Sequence, residues 1–296
     1  MMQEGLLLVD KPRGPTSFDV VAQVRRRLGE RKVGHAGTLD PLATGLLPIL
    51  VGEGTKLVGH LQNLDKVYFA TLSLGVATDS YDAEGRTTRV AADEEMAAVD
   101  EAAVRRAAAE LVGRIKQRPP VYSALKRDGK RLYELARAGE EVIPDEREVT
   151  VHAITVERVA LPEVAFTVRC GKGTYVRSLA HDLGARLGVG AHLTALRRTR
   201  IGPLDVADAI DVFADAPDAK DWPLRPLADA VGHLPALAID GETERRLRLG
   251  QQQPLARLSA RPGDLAVRLL RDGRLVAVAE RRGEGWALAR VFAVSS

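Results

Sequence analysis

The first thirty residues combine a short apolar run with a helical pattern. Leu6 to Val9 is continuously apolar and predicts a buried strand, and the two prolines and the glycine of Lys11–Pro15 predict a turn after it. Thr16 and Asp19 have the spacing of a capping box, which marks a helix start. Apolar residues then recur at helical spacing up to Gly29, the predicted stop: Val20, Val21, Val24 and Leu28.

The middle of the chain mixes strand and helix patterns. Tyr68–Leu74 and Val164–Cys170 alternate or run apolar as sheet strands do, and a helical stretch, Asp100–Leu111, lies between them. A second helical pattern begins near Val176 and ends at Gly188. Strands and helices in this order predict the α+β fold class.

The C-terminal part has a separate pattern. Six aspartates against one lysine between Asp205 and Asp221, with prolines after them, predict a linker. A short helix (Glu242–Leu249), a hairpin around Asp272-Gly273 and a last strand (Trp286–Val294) are expected beyond it. We therefore predict two domains, residues 1–233 and 234–296.

Size and composition exclude several classes of protein. The 296 residues fit one large domain plus a small one, and Cys170, the only cysteine, excludes an intramolecular disulfide and a thiol cluster. The six histidines show no metal-ligand pairing, so no metal is expected. The N-terminal apolar run is too short for a signal peptide or a membrane span, and we expect a soluble, cytoplasmic protein.

Positive charge is concentrated in one segment although the formal net charge is only +3. Between Gly113 and Arg137 two acids stand against eight basic residues: Arg114, Lys116, Arg118, Lys126, Arg127, Lys130, Arg131 and Arg137. Such a segment suits a phosphate backbone, and a solvated helix face explains the charge equally well. Residues 117–141 also contain Pro119-Pro120 and Asp128-Gly129, which predicts a long excursion from the core.

The stretch Gly34–Gly45 contains three glycines and a proline and predicts a shaped loop rather than a helix or a central strand. Pro41 favours an extended backbone at Asp40, which holds that carboxylate on an irregular but restricted segment, as catalytic side chains often are. The alternative is an ordinary Asp-Pro turn in which Asp40 bonds its own backbone.

Arg177 lies in the first turn of the helix predicted after Gly171-Lys172-Gly173. The helix dipole disfavours a cation there, so a nearby anion is expected to compensate for it. Three partners remain open from the spacing: Asp40, an RNA phosphate, or solvent alone.

Four blocks of this sequence resemble those of the TruB family of bacterial tRNA pseudouridine-55 synthases. They occur in the family's order and cover nearly the whole chain: Gly5–Ser17, Lys32–Lys56, Gln117–Gly139 and Gly171–Arg198. The run Lys-Val-Gly-His-Ala-Gly-Thr-Leu-Asp-Pro-Leu-Ala-Thr-Gly-Leu-Leu is the most specific part of the match.

The resemblance implies a fold and a reaction. The fold would be a pseudouridine synthase domain, a central mixed and mainly antiparallel sheet flanked by helices, followed by a small PUA-like β-barrel. The reaction would convert the T-loop uridine at tRNA position 55 to pseudouridine without a metal or cofactor. Asp40 would be the catalytic nucleophile and Arg177 its partner, since a cation within about 4 to 6 Å favours the ionised carboxylate.

The resemblance also implies which residues bind the RNA. Tyr68 would stack on the flipped base, although without the family match an ordinary core aromatic is the simpler interpretation. The other residues implied in substrate binding are His35, Tyr175, Leu196, Lys56, Lys126 and Lys130, the last two in an RNA-gripping insertion.

The expected partner is tRNA, bound through its T stem-loop and its acceptor stem by a monomer that needs no other protein. Two alternatives stay open. One is a guide-RNA-dependent relative that works inside a ribonucleoprotein. The other is a non-enzymatic RNA-binding protein in which Asp40 is only structural.

Overall fold

A computed structural model describes residues 3–123, 126, 127, 130, 131, 143–214, 219–258, 261 and 263–292. The side chains at 126, 127, 130, 131, 220 and 257 lie outside that description. The chain divides into two compact units, one formed by residues 1–41, 45–63 and 202–296 and the other by residues 42–44 and 64–201.

The described strands and helices have the following bounds. The strands are β1 (Gly5–Lys11), β2 (Val33–His35), β3 (Thr44–Val51), β4 (Lys66–Leu74), β5 (Val76–Thr78), β6 (Thr87–Val90), β7 (Gly113–Gln117), β8 (Lys126–Arg127), β9 (Lys130–Arg131), β10 (Arg147–Ala160), β11 (Glu163–Cys170), β12 (Ala191–Ile201), β13 (Leu204–Asp205), β14 (Ala236–Ala238), β15 (Ala266–Arg271), β16 (Arg274–Arg282) and β17 (Gly285–Val291). The helices are α1 (Ser17–Leu28), α2 (Val58–Gln62), α3 (Asp93–Ala97), α4 (Glu101–Ala109), α5 (Val176–Arg186), α6 (Leu227–Ala230) and α7 (Gly241–Arg248).

In the first unit, β1 pairs antiparallel with β3, and β2 joins β3 antiparallel. Helix α1 follows β1 as predicted. Its N-cap is Thr16, which forms the capping box with Asp19, and its C-cap is Gly29 at φ 64°, a left-handed conformation that favours glycine. Val20, Val21 and Val24 form its buried face, so the predicted helical stripe is confirmed.

The predicted linker after Asp205 is wrong for the residues that the structure describes. Ile210 lies against β1: its N–H donates to the carbonyl of Leu8 (3.0 Å), and its carbonyl accepts from the N–H of Asp10 (2.8 Å). Arg225 exchanges two backbone hydrogen bonds with Leu6 (2.8 and 2.9 Å). The acidic composition is misleading because backbone hydrogen bonds and the buried side chains of Val212 and Trp222 hold this segment to the unit.

The C-terminal part of the same unit is a small sheet in the order β14-β15-β16-β17, parallel at its first pair and antiparallel afterwards. Asp272 and Gly273 both have positive φ (50° and 77°), which suits the tight turn predicted between β15 and β16. The sheet is open over its described residues, so the predicted PUA-like barrel is not confirmed.

Five strands of the second unit pair in the order β12-β4-β11-β10-β7, and each pairing that joins them is antiparallel. The strands predicted at Tyr68–Leu74 and Val164–Cys170 are β4 and β11. Helix α5 approaches the start of β12 so closely that a Cβ at Gly184 would lie 2.3 Å from the backbone nitrogen of Ala191. A glycine inside this helix is therefore a packing requirement. Together with the helices, these sheets confirm the α+β class.

No helix in the described part of the chain is long and apolar enough to cross a bilayer.

Candidate active site

Asp40 lies on the irregular segment between β2 and β3, as predicted from its glycines and proline. Its side chain is half-buried, while Leu39 before it is buried and Pro41 after it is exposed. The carboxylate therefore stands at the border between the core and the solvent. That position allows contact with a large substrate and restricts the motion of the backbone behind it.

Both neighbours of Asp40 are hydrogen-bonded to residues between the end of β1 and the start of α1, residues 11–17. The N–H of Leu39 donates to the hydroxyl of Ser17 (2.8 Å), and the same hydroxyl donates to the carbonyl of Leu39 (3.0 Å). The carbonyl of Pro41 accepts from the N–H of Gly14 (2.9 Å) and from Nζ of Lys11 (3.5 Å). The backbone of Asp40 is thus held on both sides.

His35 and Lys56 belong to the same unit as Asp40. His35 is the last residue of β2, opposite Ile49, and is partly exposed. Lys56 forms an ion pair with Glu53 and donates to the carbonyl of Val291 (3.3 Å). The ammonium groups of Lys32 and Lys56 together lower the pKa of Glu53.

Tyr68 and Leu196 lie on adjacent strands of the second unit. Tyr68 on β4 is paired with Arg198, and Leu196 is paired with Ala70, the next inward-facing residue of β4. Both side chains are more than nine-tenths buried, and they are diagonal neighbours on one face of the sheet. Lys66 is on the same face, where burial and the charge of Arg198 lower its pKa to about 8. This face thus combines an aromatic ring with basic groups.

Arg177, in the first turn of α5, forms a buried ion pair with Asp82: Nη1 lies 3.0 Å from Oδ2, and 5% of each side chain is exposed. The guanidinium also donates to the carbonyls of Ser80 (3.2 Å) and Tyr122 (2.9 Å). The anion expected from the helix dipole is therefore present within the chain. Pairing of Arg177 with Asp40 stays a prediction.

Asp82 sits in a tight turn that fixes its carboxylate. Oδ1 accepts from the hydroxyl of Ser80 (2.6 Å) and from the N–H of Glu84 (3.1 Å), which leaves Oδ2 for Arg177. Tyr81 has φ 63°, a conformation that costs energy for a residue with a side chain. Its ring stacks on His181 of α5 at 4.0 Å, which ties the turn to the helix that carries Arg177.

Tyr175 is the N-cap residue of α5 and is held by Gln117 at the end of β7. The side-chain amide of Gln117 donates to the carbonyl of Tyr175 (3.1 Å) and accepts from its N–H (2.8 Å). The guanidinium of Arg147 lies 5.8 Å from the centre of the Tyr175 ring. The beginning of the predicted insertion is thus fixed to the helix that carries Arg177.

Lys126 and Lys130 occur in β8 and β9, a two-stranded ladder in which Lys126 is opposite Arg131. The side chains of both lysines and residues 132–142 lie outside the described part of the chain.

Sequence reasoning missed Asp82, Gln117 and Ser17. Two signals in the sequence could have pointed to Asp82: the turn-forming residues Asp79 and Ser80 just before it, and the anion expected near Arg177. Spacing alone could not reveal the other two, because they bond backbone groups 58 and 22 residues away. Among the described residues, no group of three or more His, Cys, Asp and Glu side chains could hold a metal ion.

Two family models match the chain. Residues 25–176 match the TruB family pseudouridylate synthase (N terminal domain), and residues 177–217 match the tRNA pseudouridylate synthase B C-terminal domain. Curated relatives named tRNA pseudouridine synthase B include one from Geobacter sulfurreducens, 44% identical over 96% of this chain and 95% of its own length. One from Burkholderia mallei is 47% identical over 95% of this chain and 94% of its own.

Two solved structures of similar fold agree with the sequence matches. The chain superposes on a Cbf5-Nop10-Gar1 complex with a TM-score of 0.72 and 28% identity, over 98% of this chain and 84% of that one. It also superposes on an H/ACA RNP bound to a substrate RNA containing 2'-deoxyuridine, with a TM-score of 0.70 and 27% identity, over 98% and 85% of the two chains.

The fold is therefore that of a pseudouridine synthase. The chain belongs to the TruB family, and it is an isomerase that makes pseudouridine in tRNA.

Proposed function

We propose that the enzyme isomerises the T-loop uridine at position 55 of tRNA and that Asp40 is its nucleophile. The observation that carries this proposal is the setting of Asp40: a half-buried carboxylate on an irregular segment whose two neighbours are both hydrogen-bonded to residues 11–17. An ordinary exposed Asp-Pro turn does not need such support.

The reaction breaks the bond between ribose C1′ and N1 of uracil, rotates the base, and joins C1′ to C5. C5 loses its proton and N1 gains one, so atoms and electrons balance without an oxidant or a hydrolytic water. Asp40 either attacks the ribose or removes a proton from it while the glycosidic bond breaks. An ionised carboxylate is required in both cases.

The base must leave the RNA stack to reach Asp40, which costs a few kcal/mol. In this proposal Tyr68 stacks on the flipped uracil, and Tyr175 and Leu196 line the same pocket. His35 fills the space that the base leaves in the T loop. The supporting observation is that Tyr68 and Leu196 face the same way on adjacent strands.

In this proposal Arg177 keeps Asp40 ionised, and Asp82 orients Arg177. The guanidinium of Arg177 is held by three acceptors and has little freedom to move, so its electrostatic effect on a nearby carboxylate keeps a constant direction.

Lys56, Lys126 and Lys130 would contact phosphates. The C-terminal residues 234–296 would contact the acceptor stem, for which eleven arginines against seven acids are suitable.

We further propose that the enzyme acts as a monomer without a partner protein.

The test of the reaction and its position uses the purified full chain and tRNA transcripts labelled with tritium at C5 of uridine. Tritium should be released from wild-type tRNA and not from a transcript with cytidine at position 55. Equal release from both would refute the position, and release only after other components are added would indicate a ribonucleoprotein enzyme.

A further inference from the structure

We infer that Ser17 is a positioning residue for Asp40, a role that rests on the proposed function of Asp40 as nucleophile. The hydroxyl of Ser17 fixes the peptide groups of Leu39, the residue immediately before the carboxylate.

The geometry is a two-way contact. Oγ of Ser17 accepts from the N–H of Leu39 at 2.8 Å and donates to its carbonyl at 3.0 Å. Ser17 is 3% exposed and Leu39 is 4% exposed, so solvent has little access to either. Buried backbone groups require partners, and one hydroxyl supplies both for Leu39.

Ser17 can position the loop because it stands on a rigid element. It is the first residue of α1, a helix held in the unit by its buried residues Val20, Val21 and Val24. On the other side of Asp40, Gly14 and Lys11 hold the carbonyl of Pro41. A loop fixed at both neighbours restricts the φ and ψ angles of the residue between them.

The start of helix α1 does not need the hydroxyl of Ser17. The N-cap is Thr16, whose side chain accepts from the N–H of Asp19 (3.1 Å). Removal of the Ser17 hydroxyl therefore leaves the cap intact and affects the Asp40 loop. Conversely, removal of the Thr16 hydroxyl weakens the helix start and leaves both contacts to Leu39. Variants at Ser17 and at Thr16 therefore test two roles independently: the positioning of the Asp40 loop and the support of the start of α1.

The expected effect is on the chemical step. Misplacement of a catalytic group by about 1 Å can reduce the rate by about 100-fold, whereas tRNA binding depends on many contacts elsewhere. We expect Ser17→Ala to lower kcat by about 10- to 100-fold and to change KM for tRNA by less than about 3-fold.

The experiment compares Ser17→Ala, Ser17→Thr and Thr16→Ala with wild type, by C5 tritium release and thermal melting of the full chain. Ser17→Thr retains the hydroxyl and should restore most of kcat. Thr16→Ala should lower the melting temperature and leave kcat near wild type. If Ser17→Ala does not fold, Ser17→Cys replaces it, because a thiol of similar size is a weaker donor and acceptor.

Wild-type kcat in Ser17→Ala would overturn the inference. So would an equal loss of kcat in a folded Ser17→Thr, because that loss would not follow the hydroxyl. Asp40→Asn is measured in parallel. If Asp40→Asn is inactive while Ser17→Ala is fully active, only the positioning role fails; if Asp40→Asn is active, the proposed nucleophile fails.

Discussion

Arg177 and Asp82 form a buried ion pair, with 3.0 Å between Nη1 and Oδ2, although the two residues are 95 positions apart in the sequence. A buried charge is tolerated only when it is paired and hydrogen-bonded, and removal of one partner leaves the other unpaired. This pair joins the start of α5 to the turn at Ser80–Asp82, so it bears on stability, and under the proposed role of Arg177 it also bears on catalysis.

Replacement of Asp82 by alanine should lower the free energy of unfolding by about 3 kcal/mol, because Arg177 keeps its charge without its carboxylate. Denaturant unfolding measures this change. Glu163→Ala is the matched control, because Glu163 pairs with Arg158 on an exposed surface and should cost less than about 1 kcal/mol. Equal losses in the two variants would contradict the importance of the buried pair.

Gly184→Ala should destabilise the protein by about 3 kcal/mol, a typical cost for a core substitution that forces the backbone to move. The added Cβ would meet the backbone of Gly190 and Ala191 at 2.3 Å. Gly59→Ala is the control: Gly59 is also in a helix, and a Cβ there has nothing within 4 Å. It should be neutral or stabilising by up to about 1 kcal/mol. Similar melting temperatures for the two variants would refute the close packing of α5 on β12.

Glu244 should contribute stability that depends on pH. Burial alone would raise its pKa, but hydrogen bonds from Arg248, Arg274 and Arg271 outweigh that effect and lower the pKa to about 2. Because the unfolded value is 4.5, the stabilisation is fully present above about pH 4.5 and is lost as the pH falls towards 2.

The measurement for Glu244 is the free energy of unfolding of wild type and Glu244→Gln between pH 7 and pH 3. The difference should be largest at neutral pH and shrink on acidification. Glu242→Gln, which removes an exposed pair with Arg245, is the control and should change stability much less. A difference between wild type and Glu244→Gln that is independent of pH would refute the assignment.

Strands β8 and β9, which contain Lys126 and Lys130, should contribute to the salt dependence of tRNA binding. If Lys126 and Lys130 each neutralise a phosphate, replacing both by glutamine should make the slope of log affinity against log salt less negative by about 1.4 to 1.8. The control replaces Arg105 and Arg158 by glutamine, two cations that form exposed ion pairs within the chain. An unchanged slope in the lysine variant would favour the solvated-face interpretation.

Local rules predicted the local structure well. The capping box and Gly29 gave the two ends of α1 to within a residue, and Asp272-Gly273 gave the turn between β15 and β16. These features depend on interactions between neighbours in the sequence. The catalytic blocks were also recognisable, and the matches to TruB relatives confirm that resemblance.

Long-range pairing was not predictable in the same way. Asp82 joins Arg177 and Gln117 holds Tyr175, and no periodicity connects either pair. The acidic side chains after Asp205 predict a linker, whereas backbone bonds to β1 and the burial of Val212 and Trp222 fix the position of the segment. Side-chain patterns carry little information about which distant backbone groups will meet.

The proposed role of Asp40 is tested most directly by single-turnover release of tritium from C5-labelled tRNA, with wild type and Asp40→Asn at saturating enzyme. Asparagine is nearly the same shape and lacks the negative charge, so tRNA binding and melting temperature should be retained. We expect the tritium-release rate to fall by at least about 10⁴-fold, the scale for loss of a catalytic nucleophile. Release at a rate close to that of wild type would contradict the assignment of Asp40 as the nucleophile.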